Sequence, residues 1–180
     1  YEEIISNILV ARAKLEHKMN LERVACVEIA NVMNENYAVL RNAVLPSLLE
    51  LESDSSAAAY PHRVFEVGEV AVADEQAPSG SRTELHLGVL VAHREATFSG
   101  MHSDADYLFH QLGLRLRLAE MQHDSFLSGR TARVLAGERP VGGIGRLPEG
   151  LAPMVFAAHD YYPFAPDSAR FDAVGADYFQ

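Results

Sequence analysis

The sequence predicts an α+β domain with a largely antiparallel sheet flanked by helices. Two stretches pattern as strand, turn and strand. Helix-like segments stand apart from them, and strands and helices do not alternate in the strict order of a parallel sheet. At 180 residues and 48% hydrophobic composition the chain is large enough for one core and small for two, so a single domain over residues 1–180 is expected. With 25 acidic and 15 basic residues the formal charge is -10, which argues against a general grip on nucleic-acid phosphates unless the few arginines cluster. Cys26 is the lone cysteine, so an internal disulfide and a multi-cysteine zinc site are excluded and a reducing cytoplasm is expected. There is no signal peptide and no 18-residue apolar run, so neither secretion nor a membrane partner is expected. The opening "YEEIIS", without a methionine, reads as part of a longer chain.

The elements follow in order. In "YEEIISNILVARAKLEHKM", Ile4, Ile8, Ala11 and Leu15 keep helical spacing, although "EEIISNIL" is equally compatible with an extended chain. "ERVACVEIANVM" is short and β-branched, a strand candidate. "NENYAVLRNAVLPSLLELES" sets Val39, Leu40, Val44, Leu45, Leu48 and Leu49 at helical spacing, with Pro46 in the first turn, where its missing N–H costs nothing. "ESDSSAAAYP" is a connector. "HRVFEVGEVAVA" alternates Val64, Glu66 and Gly68 against Phe65, Val67 and Glu69; "DEQAPSGS" has turn chemistry and "TELHLGVLVAH" is the return strand. "SGMHSDADYLFHQLGLRL" predicts a helix capped by Ser103 or Asp104, with Tyr107, Leu108 and Leu112 on its apolar face and Gly113 as its stop. "GRTARVLAGERPVGGIGRL" is a second hairpin. Beyond Pro148 one strand and an irregular tail are expected.

Candidate chemistry is sparse. His102, Asp104 and Asp106 alternate, which on a strand would gather metal ligands on one side and on a helix would not; the capping reading is preferred and no metal is expected. No phosphate-binding glycine loop has the required spacing. Cys26, inside "VACVEIA", reads as a small buried hydrophobe.

The run "VEIANVMNENYAVLRNAVLPSLLELES", then "YPHRVFEVGEV", "SRTELHLGVLVA" and "HDSFLSGRTARVLAGERPVGGIG" resembles the β subunit of archaeal and eukaryotic phenylalanyl-tRNA synthetase, over about Tyr1 to Gly145. The resemblance implies a fold like the class II synthetase catalytic domain. Tyr1 to Leu9 then corresponds to the extended part of the dimer-forming first motif, overriding the helical reading. Residues Arg63 to Leu90 correspond to the strand, loop and strand of the second motif. Leu40 to Glu50 becomes a helix packed on the sheet. Arg41 becomes a buried or interfacial anchor that bonds backbone carbonyls or a carboxylate such as Glu66, against the alternative of a solvated arginine. Glu66 is either the buried partner of Arg41 or Arg63 or an outward-facing residue; alternation alone leaves this open.

Pro46, Gly68, His123 and Arg130 fall within the matching signatures and are structural or interface candidates, with His123 fixing a loop. No residue is expected to be catalytic. Arg63 precedes the "FE" pair instead of reproducing the order of a phosphate-binding motif, and "GGIGR" lies where a hairpin strand belongs, its glycines serving close packing. After Gly145 the match weakens into a divergent tail over residues 146–180. The function implied is a non-catalytic scaffold domain of the β subunit. It would assemble with the catalytic α subunit to aminoacylate tRNA(Phe), with ATP and magnesium belonging to the assembled enzyme and none to this domain. Uncovered apolar surface along Tyr1 to Leu9 or the neighbouring helix would mark the partner's place. The alternatives are an independent synthetase-like paralogue binding ATP or an amino acid, or a stand-alone interaction module.

Overall fold

Imperfect alternation over two long segments produces the longest strands, β4 (His62–Ala73) and β5 (Ser81–Ala92). They pair antiparallel in continuous register from His62 opposite Ala92 to Ala73 opposite Ser81. The structure, a computed structural model, describes residues 1–55, 57–148 and 155–159. On the outer edge of β4 lies β1 (Glu2–Glu3), parallel to it. A meander of β6 (Leu116–Glu120), β7 (Thr131–Ala136) and β8 (Arg139–Arg146) forms the other end of the sheet. β9 (Val155–His159) inserts antiparallel between β5 and β8, giving a seven-stranded order β1-β4-β5-β9-β8-β7-β6. A second, two-stranded sheet joins β2 (Leu9–Val10) to β3 (Val39–Leu40). The α+β class with a largely antiparallel sheet is the one the sequence predicts.

Each face of the large sheet is covered by a helix. α2 (Leu45–Asp54) opens with a proline in its first turn, as its sequence demands, and packs Leu45, Leu48 and Leu49 with Val44 onto Val70, Val72 and Leu90. Gly88 permits this approach: a Cβ there would lie 2.8 Å from Val44 Cγ1 and 2.9 Å from Leu48 Cδ1. On the opposite face α3 (Phe98–Gln111) contributes Met101 to a cluster with Val91, Val134 and Ile144.

Several expectations are corrected. Ser103 and Asp104 are inside α3, not at its start; Thr97 caps it, its Oγ1 accepting the Gly100 N–H at 3.1 Å. The helix starts six residues earlier than a cap at Ser103 would give, and its buried residues are Met101 and Ala105, leaving Tyr107 67% exposed and Leu112 at the surface, while Gly113, at φ 68°, ends the helix as predicted. The segment "ERVACVEIANVM" does not become a strand. It makes one bridge, Glu28 to Val39, because β3 offers only two residues to pair with. α2 begins at Leu45 and not Leu40, since Val39 and Leu40 are engaged in β3. The helical spacing before residue 20 yields only α1 (Arg12–Leu15) and a 3-10 turn at His17–Met19, while Glu2–Glu3 and Leu9–Val10 are extended as the resemblance implied. β6 was not foreseen. The second hairpin and a strand beyond Pro148 are present; the rest of the tail lies outside the described residues. Replacing Thr97 by Ala removes the cap and is expected to cost about 1 kcal/mol in urea unfolding, with Thr97→Ser retaining most of it.

Candidate functional site

Three of the residues that the sequence singled out, Arg41, Glu66 and Gly68, converge at one place. β3 delivers Arg41 to the outer edge of β4 just before the chain turns into α2. Its N–H donates to the Ile8 carbonyl at 2.9 Å and its carbonyl accepts the Ala71 N–H at 2.8 Å. Its guanidinium, 1% exposed, donates from Nε to the Glu69 carbonyl (2.9 Å), from Nη1 to Ser6 Oγ (2.6 Å) and from Nη2 to Glu66 Oε1 (2.7 Å). Ser6 closes the ring, its hydroxyl donating to Glu66 Oε2 at 2.6 Å and its N–H to Oε1 at 3.3 Å. Glu66 is 2% exposed and hydrogen-bonded through both oxygens. Burial pushes its pKa up, but the hydrogen bonds from Arg41 and Ser6 outweigh burial and hold it below the usual carboxylate range. Gly68 makes room: a Cβ there would collide with Arg41 Nη2 and stand 2.7 Å from Glu66 Oε1.

Arg41, Glu66 and Gly68 thus meet, and Pro46 is buried at the start of the α2 helix that follows Arg41. Arg63 is elsewhere: it is exposed, on the opposite pleat of β4, with its guanidinium 5.9 Å from the centroid of the Tyr1 ring. His123 shapes the loop before β7, its Nδ1 accepting the Ser125 N–H at 3.1 Å and its carbonyl the Phe126 N–H at 2.9 Å. Burial lowers its pKa. Arg130 is exposed, and its carbonyl accepts the Arg146 N–H at 3.0 Å. Behind this loop, Gly145 lies under Phe126, where a Cβ would come within 2.7 Å of Cδ1, and Gly143 lies under Met121, so these glycines of "GGIGR" serve packing.

Sequence reasoning missed Ser6, which carries no signal beyond lying in an extended segment. It also missed Glu52, buried in the last turns of α2, which accepts from Tyr60 (3.1 Å) and pairs with His62 Nδ1 (2.8 Å), tying the helix to the start of β4. On β5, Arg82 bridges Asp74 and Glu84, and Glu84 meets His86 Nε2 at 2.9 Å. The period-2 spacing of Arg82, Glu84 and His86 was the available clue.

These contacts tie separate elements together: at the Arg41 cluster the Ser6 hydroxyl is engaged by Glu66, and the Glu66 carboxylate is in turn engaged by Arg41. Among the described residues Arg41 is the sole fully buried arginine, and Val70, Val72 and Leu90 fill the sheet face beside it. Among the described residues, no group of three or more His, Cys, Asp or Glu is placed to hold a metal ion, and His102, Asp104 and Asp106 lie on a helix, where alternate residues diverge. No helix among the described residues is long and apolar enough to cross a membrane. The surface, by contrast, is uneven. Tyr1, Ile5, Ile8 and Leu9 are exposed, Ile5 to 93%, and Ile29, Val32, Met33 and Tyr37 project from the loop between Glu28 and β3. β3 joins the two groups, since Leu9 pairs with Leu40 and Glu28 bridges Val39.

The family model described as phenylalanyl tRNA synthetase beta chain CLM domain matches residues 1–155. The chain is 35% identical over 147 residues to the phenylalanine--tRNA ligase beta subunit of Korarchaeum cryptofilum, 36% over 146 residues to that of Pyrococcus abyssi and 33% over 147 residues to that of Borrelia hermsii. These alignments cover 81–82% of this chain but 26% of each relative, so the chain spans about a quarter of the length of the curated relatives it matches. Among solved structures, Desulfitobacterium hafniense PylSc, a pyrrolysyl tRNA synthetase, superposes with a TM-score of 0.66 at 18% identity, over 89% of this chain and 57% of that one, a likeness of fold.

Proposed function

Since this chain belongs to the family of the phenylalanyl tRNA synthetase β chain CLM domain, we propose that it is a non-catalytic scaffold that docks the catalytic α subunit of that enzyme. The observation that carries this reading is the exposed apolar surface of Ile5, Ile8, Leu9, Val32 and Met33, grouped around the β2–β3 sheet. Isolated surface hydrophobics are ordinary; several on two segments joined through one small sheet are the usual mark of an interface. The apolar sheet face and the engagement of Arg41 by Glu66 favour a scaffold over a paralogue that binds ATP or an amino acid, which would need converging cations above an open floor. In this reading ATP, magnesium and tRNA(Phe) are handled by the assembled enzyme, none of these cofactors belongs to this domain, and the complex works in the cytoplasm.

Co-expression with the α subunit and size-exclusion chromatography with light scattering tests the proposal. A stable complex is expected, and Ile5→Asp combined with Met33→Asp is expected to weaken it at least tenfold, or about 1.4 kcal/mol, without lowering the thermal midpoint of the isolated chain. Separate elution of two folded proteins, or a complex indifferent to the double variant, would remove the docking surface from this region.

A further inference from the structure

Of the chain's five methionines, four lie among the described residues, and their surroundings differ sharply. Met19 belongs to the core cluster of Leu48 and Leu90, Met101 packs with Val91 and Ile144, and Met121 lies over Gly143; all three are buried. Met33 is fully exposed. It stands in the loop before β3, whose ends are closed by the Ile29 N–H donating to the Ala38 carbonyl at 3.0 Å. Directly after it Asn34 accepts the Asn36 N–H through Oδ1 and the Tyr37 N–H through its carbonyl, both at 2.9 Å. The thioether is therefore presented from a hydrogen-bonded turn.

We propose that Met33 is an oxidative modification site: a hydroperoxide converts its thioether to the sulfoxide in the unassembled chain, and the sulfoxide weakens association with the α subunit. The effect on association rests on the docking surface proposed above. The chemistry needs peroxide as its sole co-reactant. A sulfur lone pair attacks one peroxide oxygen, the S–O bond forms as the O–O bond breaks, and the proton on the transferred oxygen passes to the departing one. Sulfur loses two electrons and hydrogen peroxide is reduced to water. Attack needs an open sulfur, which burial denies to Met19, Met101 and Met121. Cys26 is half-buried, and burial pushes its pKa up, which keeps it in the less reactive thiol form. The formal charge of -10 favours a neutral oxidant such as a hydroperoxide over an anionic one. The sulfoxide turns a flexible apolar side chain into a polar one with a hydrogen-bond acceptor. The side chains of Ile5, Ile8, Leu9 and Val32, which share this surface, have no donor to offer, so docking buries that oxygen without a partner from this side. In the complex Met33 is covered, so assembly protects it.

The test treats the chain with dilute hydrogen peroxide, follows each methionine by peptide mass spectrometry and then measures association with the α subunit by titration calorimetry. Met33 is expected to gain its oxygen roughly tenfold faster than Met19, Met101 and Met121, with circular dichroism unchanged, and its oxidation is expected to weaken association about tenfold. A methionine sulfoxide reductase with a dithiol, which supplies two electrons and two protons and removes the oxygen as water, is expected to restore the affinity. Met33→Leu is expected to show the same affinity before and after peroxide, and Met33 in the preformed complex is expected to resist oxidation. Even oxidation of all four methionines, or equal association by the reduced and oxidised forms, would overturn the proposal. So would a loss of association in peroxide-treated Met33→Leu as large as in the parent, which would trace the effect to another residue. If the untreated chain fails to associate, the docking reading itself falls and takes the effect on assembly with it. That outcome is distinct from equal association in both forms, which sinks this proposal alone.

Discussion

Arg41→Leu is expected to destabilise the domain by about 3–5 kcal/mol in urea unfolding, among the largest effects of any single substitution here. The substitution leaves Glu66 ionised and buried with only Ser6 to satisfy it, and it removes the donor to the Glu69 carbonyl at the edge of β4. Glu66→Gln strands the opposite charge and is expected to fall in the same range, whereas replacing both by apolar residues is expected to recover much of the loss, as a coupled pair requires. The pH dependence has a definite sign. Glu66 holds its proton less tightly folded than unfolded, so its contribution is complete above the ordinary carboxylate value of about 4.3 and is lost as the pH falls from there through the lower folded value. Glu16, Asp74 and Glu84 are lowered too, so the difference between parent and Glu66→Gln isolates the slope belonging to this site. A slope unchanged by Glu66→Gln would mean that Glu66 titrates alike in both states.

The second large effect is at Gly88. Gly88→Val drives methyl groups into Val44 and Leu48, which already stand within 3 Å of where a Cβ would be, and α2 has no slack because both side chains are buried. Overpacking of this kind is expected to cost about 3 kcal/mol by thermal or chemical unfolding. Leu48→Ala alone is expected to cost about 2–5 kcal/mol through the cavity it opens. Because the two changes occupy the same space, the double variant should be less destabilised than their sum. Additivity would show that α2 shifts bodily instead of clashing locally.

What could be read from the sequence follows from range. Local signals survived: Pro46 opening α2, the alternation of β4 and β5, the glycine that ends α3 and the hairpin of β7 and β8 each depend on neighbours a few residues away. The pairing of Arg41 with Glu66 was legible only as one option, since which pleat of β4 is buried is decided by α2 and not by β4 itself. Ser6 lies 35 residues from its donor and 60 from its acceptor, beyond any periodicity argument. The helix cap was misplaced because Ser103 and Asp104 carry the right chemistry, while Thr97 precedes a stretch with weak helical propensity, Ser99 and Gly100. β6 was missed because alternating leucine and arginine just past a helix stop reads as fraying until β7 provides its ladder.

The place of β9 bears on how the molecule is made. On one side of it stand β4 and β5, joined by the loop of residues 74–80; on the other is the β6–β8 meander, also built from neighbours in sequence. Among the described strands, the one that unites them is the last to be synthesised. On the ribosome the two halves can therefore each pair early, yet β5 and β8 present bare amide and carbonyl rows toward one another until residues 155–159 emerge. For that interval the nascent chain carries two open edges capable of accepting a foreign strand. The final strand works as a keystone: it is what turns two locally formed pieces into a single sheet.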